Sequence, residues 1–141
     1  MYDVIELSKY IITKCKNDGQ PIKNLQLQFI LYAIQEQFLK QKRIAFENDF
    51  EAWKFGVCCP DAYYRFCGCG GMEIMFSYDT IEIDEGDKAM IDAIVEKKRE
   101  ENIWAKISEM HSAGSAWDTA FKDGGVGAVI PKLLILRNGK E

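Results

Sequence analysis

The chain has 141 residues, of which 48% are hydrophobic and 28% charged, and its 22 acidic against 18 basic side chains give a net charge of −4. That length fits one domain of ordinary size, able to bury about two-thirds of the surface its unfolded chain exposes. The composition excludes collagen-like, low-complexity and wholly disordered classes, and the acidic balance argues against a nucleic-acid binder, which needs basic side chains facing phosphate.

No apolar run approaches the ~20 residues of a membrane span. The first residues, Met1-Tyr2-Asp3-Val4-Ile5-Glu6, carry neither the basic n-region nor the apolar h-region of a signal peptide. Five cysteines in that context predict reduced thiols and a cytoplasmic location.

In chain order, Val4, Leu7, Ile11 and Cys15 recur at three- and four-residue spacing. They predict an amphipathic helix from Asp3 to Lys16, with Asp3 and Glu6 as a capping pair and Asn17-Asp18-Gly19 as the stop. After a connector at 20–23, Asn24 is the expected cap of a second helix reaching about Lys42, closed by the positive charge of Lys40, Lys42 and Arg43. Its apolar residues, from Leu25 to Leu39, cover nearly the whole circumference, which places it at the centre of the fold. Ile44-Ala45-Phe46 reads as a short extended piece. Asn48 or Asp49 then caps an expected short helix through Phe50, Ala52, Trp53 and Phe55, ended by Gly56. Pro60 opens another, carrying Ala62, Tyr63 and Phe66, and the glycines at 68, 70 and 71 end it.

Met72, Ile74, Phe76 and Tyr78 alternate with Glu73, Met75 and Ser77, and with Ile81 and Ile83 beyond they form the one convincing strand-like region. A lone hairpin there needs the helices to pack against. Asp87 is the expected cap of a long helix whose buried stripe is Met90, Ile91, Ile94 and Val95. The mixed charges at 97–101 make a solvated turn before Ile103, Trp104 and Ile107 restart the apolar pattern towards Met110 and His111. Ser115 and Asp118 form a second capping pair ahead of Trp117 and Phe121, and Pro131 starts a last short helix through Leu133, Leu134 and Leu136. The expected fold is mainly α: a compact single-domain helical bundle over 1–141 around a buried central helix, with one small β-hairpin or short strand pair.

Among chemistry-bearing residues, Cys58, Cys59, Cys67 and Cys69 lie close together in sequence and in principle supply four thiolates for zinc. Their Cys-Cys and Cys-x-Cys spacing is not that of paired zinc knuckles, and the expectation is no metal, with small buried hydrophobes and a solvent-facing thiol or two. A thiol nucleophile would have to use His111, the only histidine, and no third orienting group stands at a recognisable spacing. His111 itself is expected to be partly buried, its ring nitrogens satisfied by nearby backbone groups. The acidic run Glu82, Asp84, Glu85 and Asp87 lacks the ligand spacing of a calcium loop and reads as a solvated edge. Trp53, Phe55, Tyr63, Tyr64 and Phe66 crowd one stretch; the residue types alone favour core packing for most of these rings, with an interface as the other reading.

Three segments together resemble the Panacea domain family. The helix Leu7-Ser8-Lys9-Tyr10-Ile11-Ile12 is followed by Ile22-Lys23-Asn24-Leu25-Gln26-Leu27-Gln28-Phe29-Ile30-Leu31-Tyr32, with Gln35, which resembles the family's "NLxLQKxLYxxQ" helix, although Phe29 stands at the lysine position. Phe50-Glu51-Ala52-Trp53-Lys54-Phe55-Gly56-Val57-Cys58-Cys59-Pro60, then Tyr63 or Tyr64, looks like its "EAWxxGPVxPxxY" segment, with Val57 in place of proline and Cys58 in place of valine. His111-Ser112 and Trp117 resemble its "THxxxxPW" turn, with Met110 for threonine and Ala116 for proline.

The resemblance implies a non-enzymatic protein-binding module. In that family antitoxins neutralise toxins by direct contact, and at least one acts as an adaptor to a protease. The implied partner is a protein, toxin or protease-delivered client, with no nucleic acid, membrane or cofactor. The implied contact residues are Trp53, Gly56, Pro60, Tyr63, Tyr64, His111 and Trp117. The acidic edge would suit a basic partner. Two other readings stay open: a small metal- or thiol-dependent enzyme built on Cys58, Cys59, Cys67, Cys69 and His111, and a phage protein of the same fold without a toxin.

Overall fold

Asp3 accepts hydrogen bonds from the backbone N–H groups of Ile5 and Glu6, at 2.9 and 3.0 Å, and so starts helix α1 (Val4–Asn17) where the sequence places it. A computed structural model describes residues 1–138. After α1 come α2 (Asn24–Lys40), strands β1 (Phe50–Trp53) and β2 (Gly56–Cys58), and α3 (Pro60–Arg65). They are followed by α4 (Glu85–Lys98), α5 (Ile103–Met110), α6 (Ala116–Gly124), β3 (Ala128–Ile130) and α7 (Lys132–Asn138). The fold is mainly α with one small antiparallel sheet of order β2-β1-β3. No helix among the described residues is long and apolar enough to cross a membrane.

Helix α2 is the spine. Leu27, Ile30, Leu31, Ile34 and Phe38 are fully buried, and the helix packs against α1, α3, α4, α7 and β2. It ends at Lys40, two residues before the expected end, because Lys42 takes a left-handed conformation with φ 60°. Asn24 is not its cap. The cap position is Lys23, whose N–H donates to the Gln26 side chain at 2.8 Å, while Asn24 is the first helical residue and is buried.

Three buried polar side chains on this helix fix the irregular chain around it. Asn24 Nδ2 donates to the Tyr63 carbonyl at 3.0 Å, and its Oδ1 accepts from Gln28 Nε2. The Gln28 oxygen accepts from the Cys59 N–H at 2.8 Å. Gln35 donates to the Phe46 carbonyl and accepts from the Ala45 N–H, both at 2.8 Å. Segment 44–46 joins no ladder: Gln35 satisfies the Ala45 N–H and the Phe46 carbonyl, and the Tyr2 N–H donates to the Ala45 carbonyl at 2.7 Å.

Two sequence expectations are corrected. Residues 50–58 form a hairpin where a helix to Gly56 was expected: Glu51 pairs with Cys58, Ala52 with Val57 and Trp53 with Gly56, and β3 flanks the other edge through Phe50↔Ile130 and Ala52↔Ala128. Phe50 and Ala52 alternate into the core while Glu51 and Trp53 point away, a period of two carried by only four residues. Segment 72–83 has the alternation of a strand but no strand to pair with. Its neighbours are α1 and the 20–23 connector, which give it an isolated bridge, Lys23↔Glu73, and a hydrogen bond from the Tyr78 N–H to Thr13 Oγ1. Ile74 is buried, whereas Met72, Met75 and Phe76 are exposed.

Helix α4 starts one turn earlier than expected, capped by Asp84. Asp87 is buried and does not belong to the solvated acidic edge. It accepts hydrogen bonds from Arg43 Nη2 and Nη1, at 2.8 and 3.2 Å, and from the Tyr2 hydroxyl at 2.7 Å. The Arg43 hydrogen bonds hold the Asp87 carboxyl below the usual carboxylate range. A group so depressed adds stability above its unfolded value of about 4, and that stability is lost as pH falls through the folded value. Thermal unfolding followed by circular dichroism is expected to show a smaller acid-induced drop in Tm for Asp87→Asn than for the natural chain.

Candidate functional site

The β1–β2 hairpin and α3 gather four rings on one surface. Trp53 leaves β1 on its outward face, Phe55 sits in the hairpin turn, and Tyr63 and Tyr64 lie on α3, which Pro60 opens at its first turn. Ring centroids lie 5.4 Å apart for Trp53–Tyr63, 5.9 Å for Trp53–Phe55 and for Trp53–Tyr64, and 6.0 Å for the stacked Phe55–Tyr63 pair. Tyr64 is 62% exposed, and Trp53, Phe55 and Tyr63 are half-buried. Core packing, which the residue types favour, holds only for Phe66, which turns inward to meet Tyr78 edge-on.

The second group lies in the α5–α6 turn and is tied to the first. Trp117 Nε1–H donates to the Trp53 carbonyl at 2.6 Å. Its ring contacts the His111 ring at 4.1 Å and stacks on Phe121 at 4.6 Å. Ser115 caps α6 through the Asp118 N–H, and its hydroxyl donates to the Met110 carbonyl, which sets the angle of the turn. The expectation that backbone groups satisfy both ring nitrogens of His111 fails at Nε2, which is buried with no hydrogen-bond partner among the described residues.

Gly56 allows the close approach between the two groups. Its φ is 134°, and a Cβ there would stand 3.1 Å from Met110 Sδ and 3.4 Å from the Phe29 ring. All seven residues singled out in the sequence thus lie around the hairpin tip, α3 and the α5–α6 turn. Phe55 completes the aromatic cluster, and its signal was the aromatic crowding of 53–66. Trp104, read as part of an apolar stripe, is instead 78% exposed on α5.

The cysteines are all free thiols. Cys58 and Cys59 are buried and Cys67 is exposed, its Sγ–H donating to the Tyr64 carbonyl. Burial pushes the Cys58 thiol up and the Cys59 thiol up to about 11, which keeps both protonated near neutrality. Among the described residues, no group of three or more His, Cys, Asp or Glu side chains is arranged to hold a metal ion.

Comparison of the chain with family models, with curated proteins and with solved structures finds no match. The likeness to the Panacea family rests on the three sequence segments themselves.

Proposed function

We propose that this chain is a cytoplasmic protein-binding module of the Panacea type, an antitoxin that neutralises a toxin by direct contact, in one mode as an adaptor for proteolysis. The observation that carries the reading is the four-ring surface cluster with Tyr64 at its open edge. Contiguous exposed apolar surface on a small domain marks an interaction site, and Trp and Tyr are the residues that most often dominate binding energy. A standard interface of about 1,600 Å² needs only a few such anchors and no catalytic group. Residues of the second and third Panacea-like segments, distant in sequence, also meet at the Trp117–Trp53 hydrogen bond. The thiol reading draws less support, since burial keeps Cys58 and Cys59 protonated.

The test is bacterial growth with the adjacent reading frame expressed alone and together with this chain. The expected result is toxicity that co-expression relieves, and loss of that relief with Tyr64→Ala, whose removal from a hot spot costs about 2 kcal/mol or ~30-fold in Kd. A non-toxic neighbour would overturn the antitoxin assignment.

A further inference from the structure

From Ile74 to Asp84 the chain runs on with neither turn nor bend and belongs to no helix or sheet. The Ile74 N–H donates to the Ile22 carbonyl at 2.8 Å, and the Tyr78 N–H to Thr13 Oγ1 at 3.0 Å. In an extended chain the N–H and C=O of one residue point to the same edge, and those of the next residue to the opposite edge. Residues 74 and 78 therefore mark an inner edge, which faces the 20–23 connector and α1. Met75, Ser77 and Asp79 belong to the outer one. Their N–H groups have no hydrogen-bond partner among the described residues, and all three residues are exposed.

An open edge of this kind is a template for pairing with another chain, and proteins ordinarily blunt it with lysine or proline. Those residues are missing here: from Phe66 to Asp87 the sequence has no proline and no basic residue. The segment instead holds large apolar side chains in water, Met72 at 74% exposed, Met75 at 56% and Phe76 at 58%. Exposed apolar side chains beside an unpaired backbone edge are what strand addition covers.

Charge decides which strand fits. Glu73, Asp79, Glu82, Asp84 and Glu85 are exposed along the segment. The nearby cations come from α1 and the connector. Lys9 lies over the Tyr78 ring and pairs with Glu6, Lys16 donates to Ser77 Oγ, and Lys23 bridges Glu73 through the backbone. A second copy of the chain would set carboxylates against carboxylates, which opposes pairing, whereas a basic strand would be attracted.

We infer that the outer edge of residues 74–79 docks a basic, extended segment of a partner protein as an added β-strand. The N–H and C=O groups of Met75, Ser77 and Asp79 would pair with it, and its side chains would cover Met75 and Phe76. This surface shares no residue with the four-ring cluster and does not depend on the antitoxin assignment.

The probe is a capped eight-residue peptide alternating lysine with valine, titrated into the full chain at low salt, with a glutamate–valine peptide as its counterpart. The lysine peptide is expected to bind one-to-one with a Kd below about 1 mM, and the glutamate peptide about tenfold more weakly or less still. Amide hydrogen exchange followed by NMR should slow at Met75, Ser77 and Asp79 on binding. Met75→Pro removes one outward N–H, whereas Met75→Ala removes the same side chain and keeps it. The proline variant should bind about fivefold more weakly than the alanine variant, the effect of one lost backbone hydrogen bond. The Met75 N–H bonds to nothing within the described chain, so both variants should keep the circular dichroism and Tm of the natural protein. Should the proline unfold the chain, the double variant Glu73→Lys with Asp79→Lys, both at exposed positions, carries the test and should weaken the lysine peptide about tenfold. The inference is overturned if the lysine peptide does not bind below about 1 mM, if the glutamate peptide binds as tightly, or if folded Met75→Pro binds like Met75→Ala. It is equally overturned if the double variant changes nothing or if exchange slows around Trp53 and Tyr64 instead. A monomer–dimer equilibrium in sedimentation that Met75→Pro abolishes would also overturn it, by making a second copy the occupant of the edge.

Discussion

Replacing Gln35 with alanine is expected to lower the unfolding free energy by about 3 kcal/mol, because two buried backbone groups lose their partners at once and each costs ~1 to 3 kcal/mol. Gln35 is fully buried, and its one amide satisfies both the Ala45 N–H and the Phe46 carbonyl. Those two residues bring the chain from α2 to β1, and Phe46 packs on Phe50, 5.8 Å between centroids, at the start of that strand. The loss should therefore loosen the entry to the hairpin as well as the core. Urea unfolding is the measurement: the midpoint should fall with the m-value unchanged. A shift below about 0.5 kcal/mol, the size of an ordinary surface substitution, would mean that water reaches Ala45 and Phe46 and that the glutamine is not the link.

The same glutamine shows what a sequence can and cannot reveal. Gln28 and Gln35 stand in the segment that resembles the Panacea family, yet periodicity gives them no role, because a polar residue on a helix reads as solvent-facing until a partner is known. The helices themselves were legible. Asp3 and Ser115 cap where expected, Pro60 opens α3, and the unbroken apolar character of α2 marks it as central. The hairpin was not legible, and the reason lies in the site. An outward strand position is usually polar, but here it is Trp53, a member of the aromatic surface cluster, so the alternation of β1 is masked by the residue that makes the face. Strand β3 is three residues long and pairs with β1 from the other end of the chain, a contact no local pattern carries. Segment 72–83 fails in the opposite sense, since alternation without a neighbouring strand makes no sheet. Asp87 reads as one more charge in an acidic run until Arg43, 44 residues away in sequence, folds against it.

Two of the aromatic site residues should respond very differently to truncation. Trp117→Ala is expected to cost about 3 kcal/mol, the lower end for removing a large packed aromatic. The indole lies between His111 and Phe121 and supplies the hydrogen bond that joins the α5–α6 turn to β1. Without it the Trp53 carbonyl loses that donor, and His111, whose Nε2 already lacks a partner, loses the ring that covers it. Tyr64→Ala should change stability by less than about 0.5 kcal/mol, because its side chain is largely in water and holds no other element in place. Urea unfolding of the two variants side by side therefore divides the site into a support, Trp117 with Gly56 beneath the hairpin tip, and a presented surface, Tyr64 with the accessible edges of Trp53, Phe55 and Tyr63. If Tyr64→Ala proved as destabilising as Trp117→Ala, the cluster would be core that happens to reach the surface. The docking face would then have to be sought elsewhere, with Trp104 on α5 the next exposed aromatic to truncate.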